Sequence, residues 1–393
     1  MTSSALSLQY SIRHVWSAVL AMSLCAFALV ASEFLPVSLL TPMAADLSLT
    51  EGQAGQAISI SGFFAVVTSL WLSRITQGLD RKPVLLATTA LMLVSGGMVA
   101  FAPNYLTLMV GRAVLGIAIG GYWSMSTAVM MRIAPEAFVP KAIAVMQGGT
   151  ALATAIAAPV GSYLGGLIGW RGAFLCVLPL AAAALLWQIF TLPAMPSERR
   201  VGSGGGSLRL LGNSKVALGM AAVALLFMGQ FMLYTYLRPF LETVTLVDVT
   251  TLSLLLLIIG LAGLLGTMLV GCLVTRSLNR VLVGIPLIMT GLAIAVVEAG
   301  AWVIPVGALL GLWGLVATCA PVGWFTWLTK AMPRDAEAGG GLMVAVIQLA
   351  ITLGATVGGL LYDGLGYQAA FFTSSALLLA ATALTFWLCA TKA

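Results

Sequence analysis

Twelve runs of roughly 20 apolar residues follow one another along this chain, each long enough to cross the about 30 Å of hydrocarbon in a bilayer. They lie near 15–37, 55–73, 84–102, 105–129, 142–165, 173–193, 216–237, 251–274, 281–299, 302–328, 340–361 and 369–390. Lipid offers no hydrogen bonds, so each run must satisfy its own backbone, and helices do this where open sheets cannot. Charge is correspondingly scarce: 8% of the 393 residues, against 61% apolar ones. A soluble domain needs about 25% charged residues to cover itself. A soluble enzyme, a secreted disulfide module and a nucleic-acid binder are therefore excluded together. The expected fold is an all-α membrane protein of twelve transmembrane helices.

The net charge of +6 is spread in ones to threes between the runs, which reads as topology rather than as a basic face for nucleic acid. With the N-terminus cytoplasmic, fifteen of the eighteen Lys and Arg residues fall on the cytoplasmic side, leaving Arg112, Arg171 and Arg238. The positive-inside rule then puts both termini in the cytoplasm. The first run outlasts the apolar core of a cleavable leader and is expected to stay as a spanning helix. Cys25, Cys176, Cys272, Cys319 and Cys389 sit inside apolar runs without ligand-like spacing, and His14 is the single histidine. Neither a metal site nor a histidine-based nucleophile is expected.

One polar stretch, 194–215, interrupts the pattern with Arg199, Arg200 and the flexible GSGGGS at 202–207. It separates an N-terminal six-helix bundle (1–193) from a C-terminal one (216–393). The two halves echo each other at an offset near 197. VGSYLGGLIGWRGAF from Val160 lies over VGGLLYDGLGYQAAF from Val357, which matches Gly161 to Gly358, Gly169 to Gly366 and Phe174 to Phe371. Two pseudo-symmetric six-helix bundles joined by a long loop are how a two-lobed transporter with a midplane site is built; chance likeness among Gly-rich helix ends is the competing explanation.

These residues resemble the major facilitator superfamily, in its twelve-helix drug:proton antiporter branch. The segment SRITQGLDRKPVLL is similar to the loop signature of that superfamily, with Arg81 and Lys82 as its basic pair. Gln77 stands where an acid is usual and Asp80 where Gly is usual, which leaves the gating ion pair of that acid open. LMVGRAVLGIAIGG, with Arg112, resembles the second motif of the branch, and APVGSYLGGLIGWR, with Pro159 and Gly161, its antiporter motif. SEFLPVSLLTPMAADL, GGYWSMS, GQFMLYTYLRP, PVGWFTWLTK and EAGGGLMVAVIQLA look like bacterial purine ribonucleoside efflux pumps and their sugar-efflux relatives. The resemblance implies proton-driven export of nucleosides by a monomer in a bacterial inner membrane. The proton gradient would be the energy source and no cofactor is implied.

An ionisable group in hydrocarbon costs several kcal/mol unless it meets a partner or a wet cavity, so Glu33 and Arg112 are the pair to watch. Helical rise puts Glu33 about 27 Å into the first run, in its outer half, and Arg112 about 10 Å below the outer boundary. A carboxylate beside a guanidinium stays ionised while a desolvated one takes up a proton, so a move between the two environments would carry protons. A solvated Glu33 at the end of its helix, and an Arg112 tied to backbone carbonyls, are the structural alternatives. Neutral solute contacts are expected from Tyr122, Trp123, Ser124, Ser126, Gln147, Thr150, Gln230, Tyr234, Trp324, Gln348 and Thr352, with the three glutamines reading a purine edge and aromatic rings stacking on its face. Gln and Ser also join membrane helices to one another.

Arg74, Asp80, Arg81 and Lys82 are expected to make a cytoplasmic loop contact that steadies the inward-closed state, with a solvated loop that merely sets topology as the alternative. Glu242, Glu298, Asp248, Asp363 and Arg238 are expected to reach the headgroups from outer helix ends, and Arg171 to close an outer turn. Pro159 and Gly161 can bend the fifth run or admit close packing. One charge falling through 100 mV gains about 2.3 kcal/mol, enough for roughly a fifty-fold gradient, and no phosphate-binding loop with its Lys-Ser/Thr ending is present. Sugar or multidrug efflux is the alternative within transport; a membrane receptor or enzyme is a remote one.

Overall fold

A computed structural model describes residues 12–76, 79–196, 207–332 and 336–390. Every regular element among them is helical: α1 (Ile12–Leu47), α2 (Glu51–Ile75), α3 (Arg81–Ala100), α4 (Tyr105–Ile133), α5 (Val139–Thr191), α6 (Ser214–Thr235), α7 (Leu237–Thr243), α8 (Val249–Glu298), α9 (Val303–Ala317), α10 (Cys319–Ala331), α11 (Ala336–Leu365) and α12 (Tyr367–Ala390). Among the described residues ten helical stretches are long and apolar enough to cross a bilayer, and two of them, Lys141–Thr191 and Val249–Glu298, have 51 and 50 residues. A single crossing takes about 20 residues, and each of these two stretches holds two of the expected runs.

Both long stretches break where the chain must turn. α5 leaves helical geometry at Gly169 (φ 76°, ψ 164°) and α8 at Ser277 (φ −160°, ψ 89°). Gly366, between α11 and α12, repeats the positive φ of Gly169, at 85°. These are the glycines that the internal repeat pairs, so a positive φ recurs at matching points of the two halves. A Cβ at such a positive φ costs about 1–3 kcal/mol. Gly169→Ala and Gly366→Ala are each expected to lower the unfolding midpoint of the purified protein, and an unchanged midpoint in both would contradict a conformational need for glycine.

The helix ends are closed by local polar groups. Asn104 caps α4 through Thr107 N–H (2.9 Å), Asn213 caps α6, and Asp248 caps α8 through Thr251 N–H (3.0 Å). The Thr251 hydroxyl and amide hold the exposed Asp248 carboxyl below its usual range. Within the first half, α5 lies along α1, and α4 packs on α2 and α3; within the second, α12 packs on α6 and α8, and α9 on α8. The halves meet where α11 lies on α2 and α5 on α8.

The linker residues 197–206, with Arg199 and Arg200 and most of GSGGGS, lie outside the described residues, as do Gln77 and the side chain of Arg74. Asp80 caps α3 through Lys82 N–H (2.8 Å) and also accepts from Met195 N–H (2.9 Å). Arg81 donates its backbone N–H to Met195 (3.1 Å), and the Lys82 ammonium donates to the Ile189 carbonyl (2.9 Å). This basic loop is thus fastened to the end of α5, in its own half.

Candidate transport site

α1 carries two internal prolines, Pro36 and Pro42, and neither can donate an N–H to the carbonyl four residues back. The carbonyls left over are those of Ser32 and Ser38. Arg112, fully buried on α4, donates Nη1–H to the Ser32 carbonyl (2.7 Å), Nη2–H to the Glu33 carbonyl (2.9 Å) and to Ser61 Oγ (3.0 Å), and Nε–H to the Ala57 carbonyl (2.8 Å). Arg238, on α7 in the other half, donates Nη1–H to the Ser38 carbonyl and pairs with Glu242 (2.8 Å). A third proline follows the same rule: Pro159 in α5 frees the Ala155 carbonyl, and Gly260 of α8 packs so close that a Cβ there would stand 2.2 Å from that oxygen. At each of these three prolines a freed acceptor becomes a docking point for a different helix.

Arg112 is therefore the brace that binds α4 to α1 and α2, and its guanidinium is taken up by backbone oxygens and Ser61 rather than by the Glu33 carboxylate. Glu33 is 6% exposed and stands fourteen residues, about 21 Å, before the end of α1 at Leu47. The expected first helix was too short: α1 runs ten residues past 37, which puts Glu33 deep in the helix rather than at a wet rim. Its Oε1 accepts from Gln348 Nε2 of α11 (3.0 Å), a contact between the two halves. Arg238 corrects a second expectation. It is 5% exposed because the Ser38 carbonyl draws it inward, away from the headgroups. Arg171 ties its turn to two other connections rather than closing it, through an ion pair with Asp46 near the end of α1 and a bond to the Ala102 carbonyl after α3 (2.7 Å).

Apart from the deeper Gln348–Glu33 bond, the hydrogen bonds joining the halves among the described residues lie toward the end that carries the 48–50 turn. Thr50 Oγ1 and Gly52 N–H donate to Asp363 (2.5 and 2.9 Å), Thr356 Oγ1 donates to Ser59 Oγ (2.9 Å), and Thr352 and Ser59 exchange hydroxyl-to-carbonyl bonds (3.3 and 3.2 Å). Asp363 is thus an inter-half clasp and not a headgroup contact. This end of the bundle is shut.

A cavity of about 110 Å³ lies on the other side of that seal, between α1, α5, α6, α8, α9 and the α9–α10 break. Its aromatic wall is Phe34, Phe231, Tyr234 and Trp313, with Phe34 and Phe231 stacked at 5.6 Å across the halves. Small residues of α5, from Ala151 to Ala158, form the facing wall. Gln230 lines it too, and its buried Oε1 has no hydrogen-bond partner. The hydroxyls of Thr154, Thr267 and Thr318 are already bonded to carbonyls of Thr150, Gly263 and Gly263 (2.6, 3.0 and 2.7 Å).

Of the expected contact residues, Gln230 and Tyr234 line this space. Tyr122 does not: its hydroxyl donates to the Met22 carbonyl (2.7 Å) and its ring is fully buried. Ser126 and Ser124 bond back to their own helix, and Trp123 packs edge-on against Tyr122 at 5.4 Å. Trp324 is wholly buried against Trp327 with its Nε1–H unpartnered, Gln147 is exposed on α5, and the Thr150 hydroxyl is buried without a partner. Gln348 is engaged by Glu33. A Cβ at Gly161 would stand 2.8 Å from Leu35 and Ser38, so that glycine admits α1 against α5 beside Pro159. Phe34, Phe231, Trp313 and Arg238 were missed as site residues. The spacing of proline and arginine could have pointed to Arg238, while the aromatics carry no local signal in an apolar run.

A helical membrane bundle with two docked halves around a largely apolar cavity has the build of a secondary transporter. The model of the Major Facilitator Superfamily matches residues 22–343, and the chain belongs to that family. It is 56% identical over 381 residues to the transcription regulatory protein OpdE of Pseudomonas aeruginosa, covering 96% of this chain and 95% of that one. It is 40% identical over 364 residues to the purine ribonucleoside efflux pump NepI of Salmonella typhimurium, covering 93% and 91%. Among solved structures, a bacterial homolog of the human lysosomal transporter Spinster, in an inward-facing and occupied conformation, superposes with a TM-score of 0.76 at 14% identity over 98% of both chains.

Proposed function

We propose that the chain exports purine nucleosides from the bacterial cytoplasm in exchange for protons, by alternating access of two six-helix bundles. The observation that carries this reading is the buried Glu33 carboxyl, one residue along α1 from the Phe34 wall of the cavity and bonded across the halves to Gln348. The pump NepI, similar along nearly the whole chain, supports the substrate class. A purine is flat and apolar on its faces with donors and acceptors on its edge, which suits an aromatic wall and an amide whose oxygen lacks a donor. With both termini in the cytoplasm, the sealed end faces outward and the cavity is reached from inside. Protons are taken up from outside as substrate leaves, and lost to the cytoplasm as the next substrate binds.

The test is efflux of labelled inosine from loaded proteoliposomes, with and without external acid. Flux that follows the pH gradient supports nucleoside antiport; flux of sugars or lipophilic drugs in its place moves the substrate class. The drug reading has one observation in its favour, the alanine-rich and largely apolar lining of the cavity. Gln230→Leu is expected to raise the KM for inosine about tenfold, the worth of one hydrogen bond of about 1.4 kcal/mol, without lowering the yield of folded protein. An unaltered KM would remove Gln230 from the substrate. The regulatory name of OpdE comes to this chain as an effect secondary to transport, and a reporter response that survives loss of all flux would contradict that order.

A further inference from the structure

We infer that Gln348 is the positioning residue that links proton occupancy of Glu33 to separation of the two halves. This rests on the proton-coupled reading above. Three observations carry it. Gln348 is 7% exposed and Glu33 6%, and the Gln348 amide donates to Glu33 Oε1 at 3.0 Å. Gln348 also belongs to the shut end: its carbonyl accepts from the Thr352 hydroxyl (2.9 Å), which reaches on to the Ser59 carbonyl. Arg112, the permanent cation, is fixed to carbonyls of α1 and α2, so it stays with Glu33 whichever way the halves move, and Gln348 does not.

The donor that changes between conformers is therefore on the opposite half. An N–H donor binds an ionised carboxylate more strongly than a neutral acid. With the end shut, the amide favours the ionised form; with the halves apart the donor is withdrawn and a proton takes its place. Opening toward the outside thus draws a proton from that side, and closing returns the amide and expels the proton toward the cavity. No net bond is made or broken beyond transfer of H⁺ to the Glu33 oxygen and back. Among the described residues the charged group facing Glu33 is Arg112 of α4; α2 offers Ser61 and α11 Gln348, α6 places Phe231 against Phe34, and α5 has no titratable residue between Lys141 and Tyr163.

The test compares Gln348→Met and Gln348→His with the parent protein in proteoliposomes, reading two fluxes. Inosine counterflow at equal pH needs alternating access but no proton cycle. Gradient-driven efflux needs both. Gln348→Met is expected to keep counterflow within about twofold, to lose most of the acceleration by external acid, and to shift the pH at which efflux is half-maximal. Gln348→His, which retains an N–H, should recover part of the acceleration. Should Gln348→Met depress both fluxes equally with an unmoved pH profile, or leave the acceleration intact, the link is overturned. If Glu33→Gln itself keeps a full response to the gradient, the proton reading fails, and that outcome is separate from a failure of Gln348 alone.

Discussion

Glu33→Gln is expected to reduce acid-stimulated inosine efflux to the level seen without a gradient, while counterflow at equal pH persists. The substitution keeps the volume and leaves an oxygen to accept from Gln348, so the contact between the halves survives and the charge alone is lost. A transporter that cycles with a permanently neutral side chain at this position exchanges solute but has nothing to carry protons. The expected loss of gradient-driven flux is more than tenfold. It should be accompanied by a flat pH profile across the range in which the parent responds. Retention of the response would assign the proton to another group.

The second large effect is at Arg112. Its guanidinium serves four acceptors in a fully buried place, one of them the Ser32 carbonyl that Pro36 cannot serve. A buried acceptor left unsatisfied costs about 1–3 kcal/mol. Arg112→Lys offers one ammonium where a planar fork reached three backbone carbonyls on two helices, so it is expected to cost several kcal/mol and most of the folded protein. Arg112→Leu should be at least as damaging. The proline supplies an internal check: Pro36→Ala restores an N–H for Ser32 and should recover part of the stability lost in Arg112→Lys, measured as the melting point of the detergent-purified protein. If the double variant melts no higher than Arg112→Lys alone, the pairing of the proline-freed carbonyl with the arginine is not what holds α1 to α4.

How much of this was legible beforehand varies with the physics. Apolar runs, their lengths and the polar break at 194–215 follow from the cost of exposing backbone to lipid, and the all-helical architecture follows with them. The repeat that pairs Gly169 with Gly366 is visible in sequence, and both take a positive φ. Glu33 and Arg112 stood out because charge in hydrocarbon is rare. Their arrangement did not. A carboxylate–guanidinium contact and a tie to backbone carbonyls are equally compatible with the residues, and the tie is what the geometry contains.

The remaining differences come from faces. In lipid the outer and inner sides of a helix are equally apolar, so periodicity does not show that Tyr122 turns to Met22, that Gln348 turns to Glu33, or that Phe34, Phe231 and Trp313 meet around one cavity. Arg238 read as an interfacial residue because it lies between two runs. It is buried because the chain continues as α7 and the Pro42 break in α1 offers it an oxygen. Proline in a membrane helix can thus be read as an address for a donor elsewhere, with Pro36–Arg112 and Pro42–Arg238 as the two instances in α1.

Proton release on substrate binding tests the exchange most directly. The purified protein in weakly buffered detergent solution, with a pH-sensitive dye, is titrated with inosine. Acidification saturating near one proton per bound inosine is expected in the parent protein and none in Glu33→Gln, at a pH where Glu33 starts protonated. Saturable inosine binding without any proton appearing, or the same release from the Glu33 variant, would contradict the exchange.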